Sequence, residues 1–189
     1  MKWFLFLAAL ALTAPAAPAC AQDTDQASIA EQQQAMKRLS WMHGVWRGPG
    51  GGFNRSGPYK VTQTERIGPM LGGTLIVIEG KGYMADGSVG FNAFGIISYD
   101  PRTKRYTIHS YALGHAGDFP LTPTDNGYIW EVQAGPDAVI RYTATLKDGT
   151  WTEVGDYVAG GQPPRRIFEM NLKRVGNSDW PLAGGIPKD

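Results

Sequence analysis

Six side chains able to carry charge or donate hydrogen bonds, Glu65, His109, Tyr111, Arg141, Glu153 and Glu169, sit in segments otherwise rich in aromatic and β-branched residues. Successive side chains of a β-strand alternate between its two faces, so each of the six shares a face with definite neighbours. Glu65 falls with Tyr59, Val61, Gln63 and Ile67. Glu153 falls with Trp151, Gly155 and Tyr157, and Glu169 with Ile167, Asn171 and Lys173, opposite Phe168, Met170 and Leu172. His109 and Tyr111 share a face with Arg105 and Thr107, opposite Tyr106, Ile108 and Ser110. Acids interleaved with apolar residues suit a partly polar cavity, in which buried charge persists only when paired. The chemistry expected is non-covalent: these six groups, with Trp46 as an aromatic wall, orient a small apolar or amphipathic ligand. The alternative is an acid/base enzyme of isomerase, cyclase or hydrolase type, using His109 or Tyr111 with Glu153. A third reading is a solidly packed domain that works through its surface.

Other chemistries are excluded by spacing. His109 and His115 lie six residues apart with Asp118 nearby. On an extended strand that separation is about 20 Å, too far for a shared ion, so no metal site is expected. No nucleophile elbow, phosphate-binding loop or dinucleotide fingerprint stands between a strand and a helix.

The elements that must position these residues begin after an N-terminal export segment. Met1 and Lys2 precede an apolar run over 3–12 and then small residues at Ala19-Cys20-Ala21, the layout of a cleavable signal peptide over 1–21. The apolar run is shorter than the roughly 20 residues of a membrane-spanning helix. The expected location is therefore periplasmic or secreted. Acylation at Cys20 is disfavoured, because Ala17-Pro18-Ala19 lacks the bulky aliphatic residue that such sites carry three positions upstream. Cleavage removes Lys2, one of 18 basic residues, and leaves a balance against 17 acidic ones. A neutral chain has no electrostatic reason to bind nucleic acid. Cleavage also removes the only cysteine, which rules out thiol catalysis and structural disulfides.

Residues 22–43 read as a leader and one amphipathic helix over 28–42. Ser28 and Glu31 form a capping box, and Ile29, Met36, Leu39 and Met42 make the apolar stripe. From 44 to 175 the period changes to that of strands, expected at 45–53, 59–67, 74–82, 89–99, 105–112, 117–121, 128–133, 138–146, 151–158 and 165–175. Short turns rich in Gly, Pro, Asn and Asp separate them, so neighbouring strands run antiparallel. Ten such strands would expose two edges if laid flat. The fold expected is an all-β, closed antiparallel up-and-down barrel of about ten strands with one N-terminal amphipathic helix, ahead of a two-sheet sandwich. Residues 176–189 read as an irregular tail, whose Trp180 and Leu182 either fold back on the barrel or stay free.

The run Gly44-Val45-Trp46-Arg47-Gly48-Pro49-Gly50-Gly51-Gly52 resembles the GxWxGxGxG signature that opens the nitrobindin-like barrels of the lipocalin/calycin group. Gly149-Thr150-Trp151-Thr152-Glu153 and Phe168-Glu169-Met170-Asn171-Leu172 look like the closing strands of an uncharacterised bacterial family with the same barrel, and Ser98-Tyr99-Asp100-Pro101 fits between. The resemblance implies a ten-stranded calycin barrel that holds haem through one axial histidine on a late strand. This sequence departs there, since His43, His109 and His115 are its only histidines. Haem would need another axial ligand, so no cofactor is expected and a nitrobindin-like haem binder stands only as a further alternative.

Overall fold

The computed structural model describes residues 19–54 and 56–180; the apolar run over 3–12, expected to belong to a signal peptide, and Leu182 lie outside the described residues. Helix α1 (Ala19–Met36) passes into a 3₁₀ turn (Lys37–Met42). Ten strands follow: β1 (Gly44–Asn54), β2 (Gly57–Met70), β3 (Leu75–Tyr83), β4 (Val89–Asp100), β5 (Arg105–Ala112), β6 (His115–Pro123), β7 (Gly127–Gly135), β8 (Ala138–Lys147), β9 (Thr150–Ala159) and β10 (Arg165–Gly176). Each pairs antiparallel with the next, and β10 returns to β1, so the sheet closes as an up-and-down barrel. All ten expected strands are present, and the sandwich is not formed. Turn chemistry explains the meander. Leu113-Gly114 and Asp148-Gly149 take positive φ at both central positions, the two-residue geometry that suits the twist of a hairpin.

The helix differs from expectation in its start and in its phase. It begins before Ser28, so Ser28 lies inside it and caps nothing. Glu31 instead accepts from Tyr99 Oη at 3.0 Å and pairs with Lys104 Nζ at 2.5 Å. Ile29 is exposed rather than part of the stripe. Met36, Leu39 and Met42 are spaced by three, and a 3₁₀ turn stacks residues three apart on one side. That turn brings all three into the core. Gln33 Nε2 to Gly72 O (2.9 Å) and Tyr106 Oη to Ala35 O (3.1 Å) fasten the helix across one end of the barrel. The sealed end holds Ile67, Ile76, Ile97, Leu121, Trp151 and Leu172, all buried.

Just past β10 the chain folds back on the outer wall. Asp179 pairs with Arg66 at 3.1 Å, the Trp180 ring lies 4.1 Å from the Arg66 guanidinium, and Phe94 meets that ring edge-on at 6.1 Å. Of the two tail residues expected to fold back or stay free, Trp180 folds back.

The glycines of β1 have a steric purpose. A Cβ on Gly48 would fall 2.0 Å from Asn171 O, and one on Gly52 2.0 Å from Ile167 O, both on the backbone of β10. They allow the closing strand to approach. Gly50 differs, since its Cβ would sit 3.2 Å from Gln63 Cβ, a side-chain neighbour. Gly48→Ala should therefore cost roughly 2–3 kcal/mol, lowering the melting temperature by about 5–10 °C, and Gly50→Ala clearly less. Thermal unfolding of the two variants checks this, and equal losses would refute the closing role.

Candidate functional site

Closure gives the barrel an inner face, and the strand pattern decides what stands on it. Glu65, Gln63 and Val61 of β2 are buried on that face, and Glu153 of β9, three strands further round the closed sheet, is buried on the same inner face. Glu153 is held at both oxygens: Tyr128 Oη donates to Oε2 at 2.7 Å and Trp130 Nε1 to Oε1 at 3.1 Å. Tyr128 and Trp130 alternate along β7, so one face of that strand supplies both donors. Glu65 is held at one oxygen only. Gln63 Nε2 donates to its Oε1 at 2.7 Å, and among the described residues no group donates to Oε2. Glycines make room for these long side chains. A Cβ on Gly80 would fall 2.8 and 2.9 Å from the two oxygens of Glu65, and one on Gly155 2.8 Å from the Tyr142 ring.

Away from the helix the inner face turns aromatic. Trp130 stacks on Tyr142 with centroids 4.4 Å apart and planes 15° apart; Phe119 lies 5.7 Å from Trp130, and Phe168 6.1 Å from Tyr142. These rings are only partly buried, as are Ala93, Ser110 and Ala112 beside them on β4 and β5. Solvent thus reaches the half of the lumen remote from the helix, while the helix half is sealed. In the sealed half, Trp151 meets Trp41 and Trp46 edge-to-face at 5.4 and 5.6 Å. The buried Nε1 atoms of Trp41 and Trp151 have no hydrogen-bond acceptor there.

Burial governs the protonation of the acids. Desolvation lifts Glu65 to about 8, with the nearby charges of Glu153 and Glu79 adding and the Gln63 hydrogen bond opposing. Glu153 is raised by burial despite its two donors. Tyr142 is pushed up to about 12 by burial and by Glu153, and burial raises Tyr128 well above the usual phenol range.

The seven residues expected to share the lumen separate. Glu65 and Glu153 face it. Trp46 is interior but belongs to the sealed end, where its Nε1 donates to Met42 O at 2.8 Å. His109, Tyr111, Arg141 and Glu169 stand on the outer face. His109 pairs there with Asp118 and lies 4.8 Å from the Tyr111 ring. Arg141 pairs with Glu131 at 2.6 Å, and Glu169 with Arg166 at 3.1 Å. The enzyme constellation of His109 or Tyr111 with Glu153 is accordingly not assembled, because a barrel wall separates the groups. The signal was present in the opposite faces. Phe168, Met170 and Leu172 on β10, and Tyr106 and Ile108 on β5, are the more apolar sets and take the inside, which sends Glu169 and His109 out. Gln63, Tyr128 and Tyr142 are site residues that the sequence does not single out, while Trp130, which it offers as a ring for stacking on a ligand, also donates to Glu153. The interval of two between Tyr128 and Trp130, each an apolar ring with a polar tip, was the cue.

No histidine faces the lumen beside the acids. His43 sits between the 3₁₀ turn and β1, His109 is on the outer wall, and His115 is exposed at the rim. Haem held by an axial histidine on a late strand does not fit these residues. Among the described residues no three His, Cys, Asp or Glu side chains converge as a metal set.

The fold is a closed, ten-stranded antiparallel up-and-down barrel with a polar lumen floor. It is similar to the crystal structure of Rv2717c from M. tuberculosis, with a TM-score of 0.56 and 14% sequence identity over 75% of this chain and 97% of that one. At that identity the likeness concerns the fold. No protein-family model matches the sequence. A search of curated proteins finds no similar sequence.

The raised carboxyl has a measurable consequence for stability. An unfolded glutamate titrates near ~4.3, so between there and about 8 the folded chain holds a proton on Glu65 that the unfolded chain has lost. The contribution of Glu65 to stability therefore falls as pH rises through that window, and Glu153 acts with the same sign. Urea midpoints should decline from about pH 5 to about pH 8, and the isosteric Glu65→Gln should flatten the decline and be more stable than wild type at the alkaline end. A variant as pH-dependent as wild type would refute the assignment.

Proposed function

We propose that this chain is an exported β-barrel protein that binds a small apolar or amphipathic molecule in its half-open lumen, with Glu65 and Glu153 as the polar contacts. One observation carries the reading: two carboxyl groups lie buried in an aromatic interior whose inward register has basic residues only at its ends, His115 and Arg165 at the open end and Arg174 at the helix end. Apolar side chains of similar volume would be cheaper for a barrel built only to be stable. Buried, strongly shifted carboxyls gather where a protein handles a ligand. Relationship to the nitrobindin-like barrels belongs to the same proposal. The glycine-rich first strand and ten-strand closure support it, although this chain, as such a relative, has no histidine on a late strand.

The export part of this proposal rests on the signal-like sequence over 1–21. Among the described residues the side-chain hydrogen bonds from helix to barrel come from Glu31, Gln32 and Gln33, all beyond the expected cleavage after Ala21. Intact mass of protein from its source should correspond to a chain starting at Gln22, and an acylated Cys20 would overturn soluble release. The acid/base reading keeps one specific support, since Glu65 retains a proton near neutral pH and so has one to give to a bound substrate.

Native mass spectrometry of the source-purified protein should show a co-purifying small molecule. Ala112→Trp, which fills the solvent-reached inner wall, should weaken binding of that molecule at least tenfold, about 1.4 kcal/mol, whereas His109→Ala on the outer wall should leave it unchanged. Loss with His109→Ala and retention with Ala112→Trp would move the site to the surface.

A further inference from the structure

The ligand-binding reading leaves the chemistry of the ligand's head open, and the inner wall constrains it. Between the two ends of the barrel the inward-facing positions carry two acids and no lysine, arginine or histidine. The acids are unequal. Glu153 has a donor at each oxygen, but Glu65 is only 7% exposed and has a donor at Oε1 alone. Its Oε2 has no donor among the described residues, and it lies against Gly80, where a Cβ would fall 2.9 Å away. A carboxylate oxygen without a donor has room for one, and a pair of ionised acids without a counter-charge calls for a cation.

We propose that the occupant is a protonated organic amine with an apolar body, its ammonium group seated between Glu65 and Glu153 and its body running along Phe119, Trp130, Tyr142 and Phe168 toward the open end. This rests on the ligand-binding reading above and narrows it. An ammonium N–H satisfies Oε2 of Glu65, and the positive charge supplies what the interior lacks. The rings above the acids present π-faces that attract a cation on its way in. A carboxylate head would meet two acids at the floor, and a neutral hydroxyl head would form no ion pair with either of them. Burial raises both acids in the free protein, and an ammonium between them favours the ionised forms again.

Three probes with the same ten-carbon tail, decylamine, decanol and decanoate, separate the possibilities when titrated calorimetrically into the mature protein near neutral pH, below their aggregation concentrations. Decylamine should bind at least tenfold more tightly than decanol, with decanoate the weakest. Glu65→Gln and Glu153→Gln should each erase most of the amine's advantage while leaving decanol affinity within about threefold. Should either variant fail to fold, the order of the three probes on the wild-type protein still decides. Decanol binding as tightly as decylamine, or decanoate binding best with its head at Arg165 and His115, overturns the cationic ligand and leaves the ligand-binding proposal standing. Binding of none of the three overturns both.

Discussion

The rest of the molecule depends on β1 lying close enough to β10 to close the sheet. Gly48 and Gly52 permit it, because any side chain there would fall on the β10 backbone. Once closed, the barrel has no free edge, and every strand has two hydrogen-bonded neighbours. Closure also creates an inside that no open sheet has. The chain has one cysteine, Cys20, so no disulfide within the chain can form and the stability of the barrel comes from pairing and packing alone.

An inside must be filled or left accessible, and this barrel does one at each end. The 3₁₀ turn stacks Met36, Leu39 and Met42 into one end, where the strand ends contribute Ile67, Ile97, Trp151 and Leu172. The helix side chains then reach outward to tie Gly72 and Tyr99 to that cap. At the other end hairpin turns leave the aromatic wall within reach of solvent. Glu65 and Glu153 lie between the two regions, where desolvation is already strong. That position explains why their protonation is shifted, whereas acids on the outer wall find cations: Glu131 with Arg141, Glu169 with Arg166 and Glu79 with Lys81.

The contrast between the walls frames the functional proposals. Outside, acidic and basic side chains pair across neighbouring strands, as expected of a solvated sheet. Inside, acids stand without bases. A protein that carries this imbalance pays for it in stability, and a ligand able to supply the missing donor and charge is the simplest return. The same imbalance speaks against haem, whose propionates are themselves anionic and for which the lumen offers no histidine.

Local chemistry was legible in the sequence. Ten strands, their antiparallel order, the single helix and the closing of the sheet follow from turn residues, strand-period patterning and the cost of open edges, all short-range or additive. The alternation within each strand was equally legible, and Glu65 and Glu153 were correctly paired with their same-face neighbours. Which face of each strand points inward was decided only by the closed sheet, through pairing between strands remote in sequence. Period-two alternation relates residues within a strand but carries no sign. For that reason Arg141, Glu169, His109 and Tyr111 were grouped with the lumen and stand outside it. Tyr128 and Trp130 became ligands of Glu153 across 25 and 23 residues of chain, a juxtaposition that closure makes and that the spacing along the sequence does not contain.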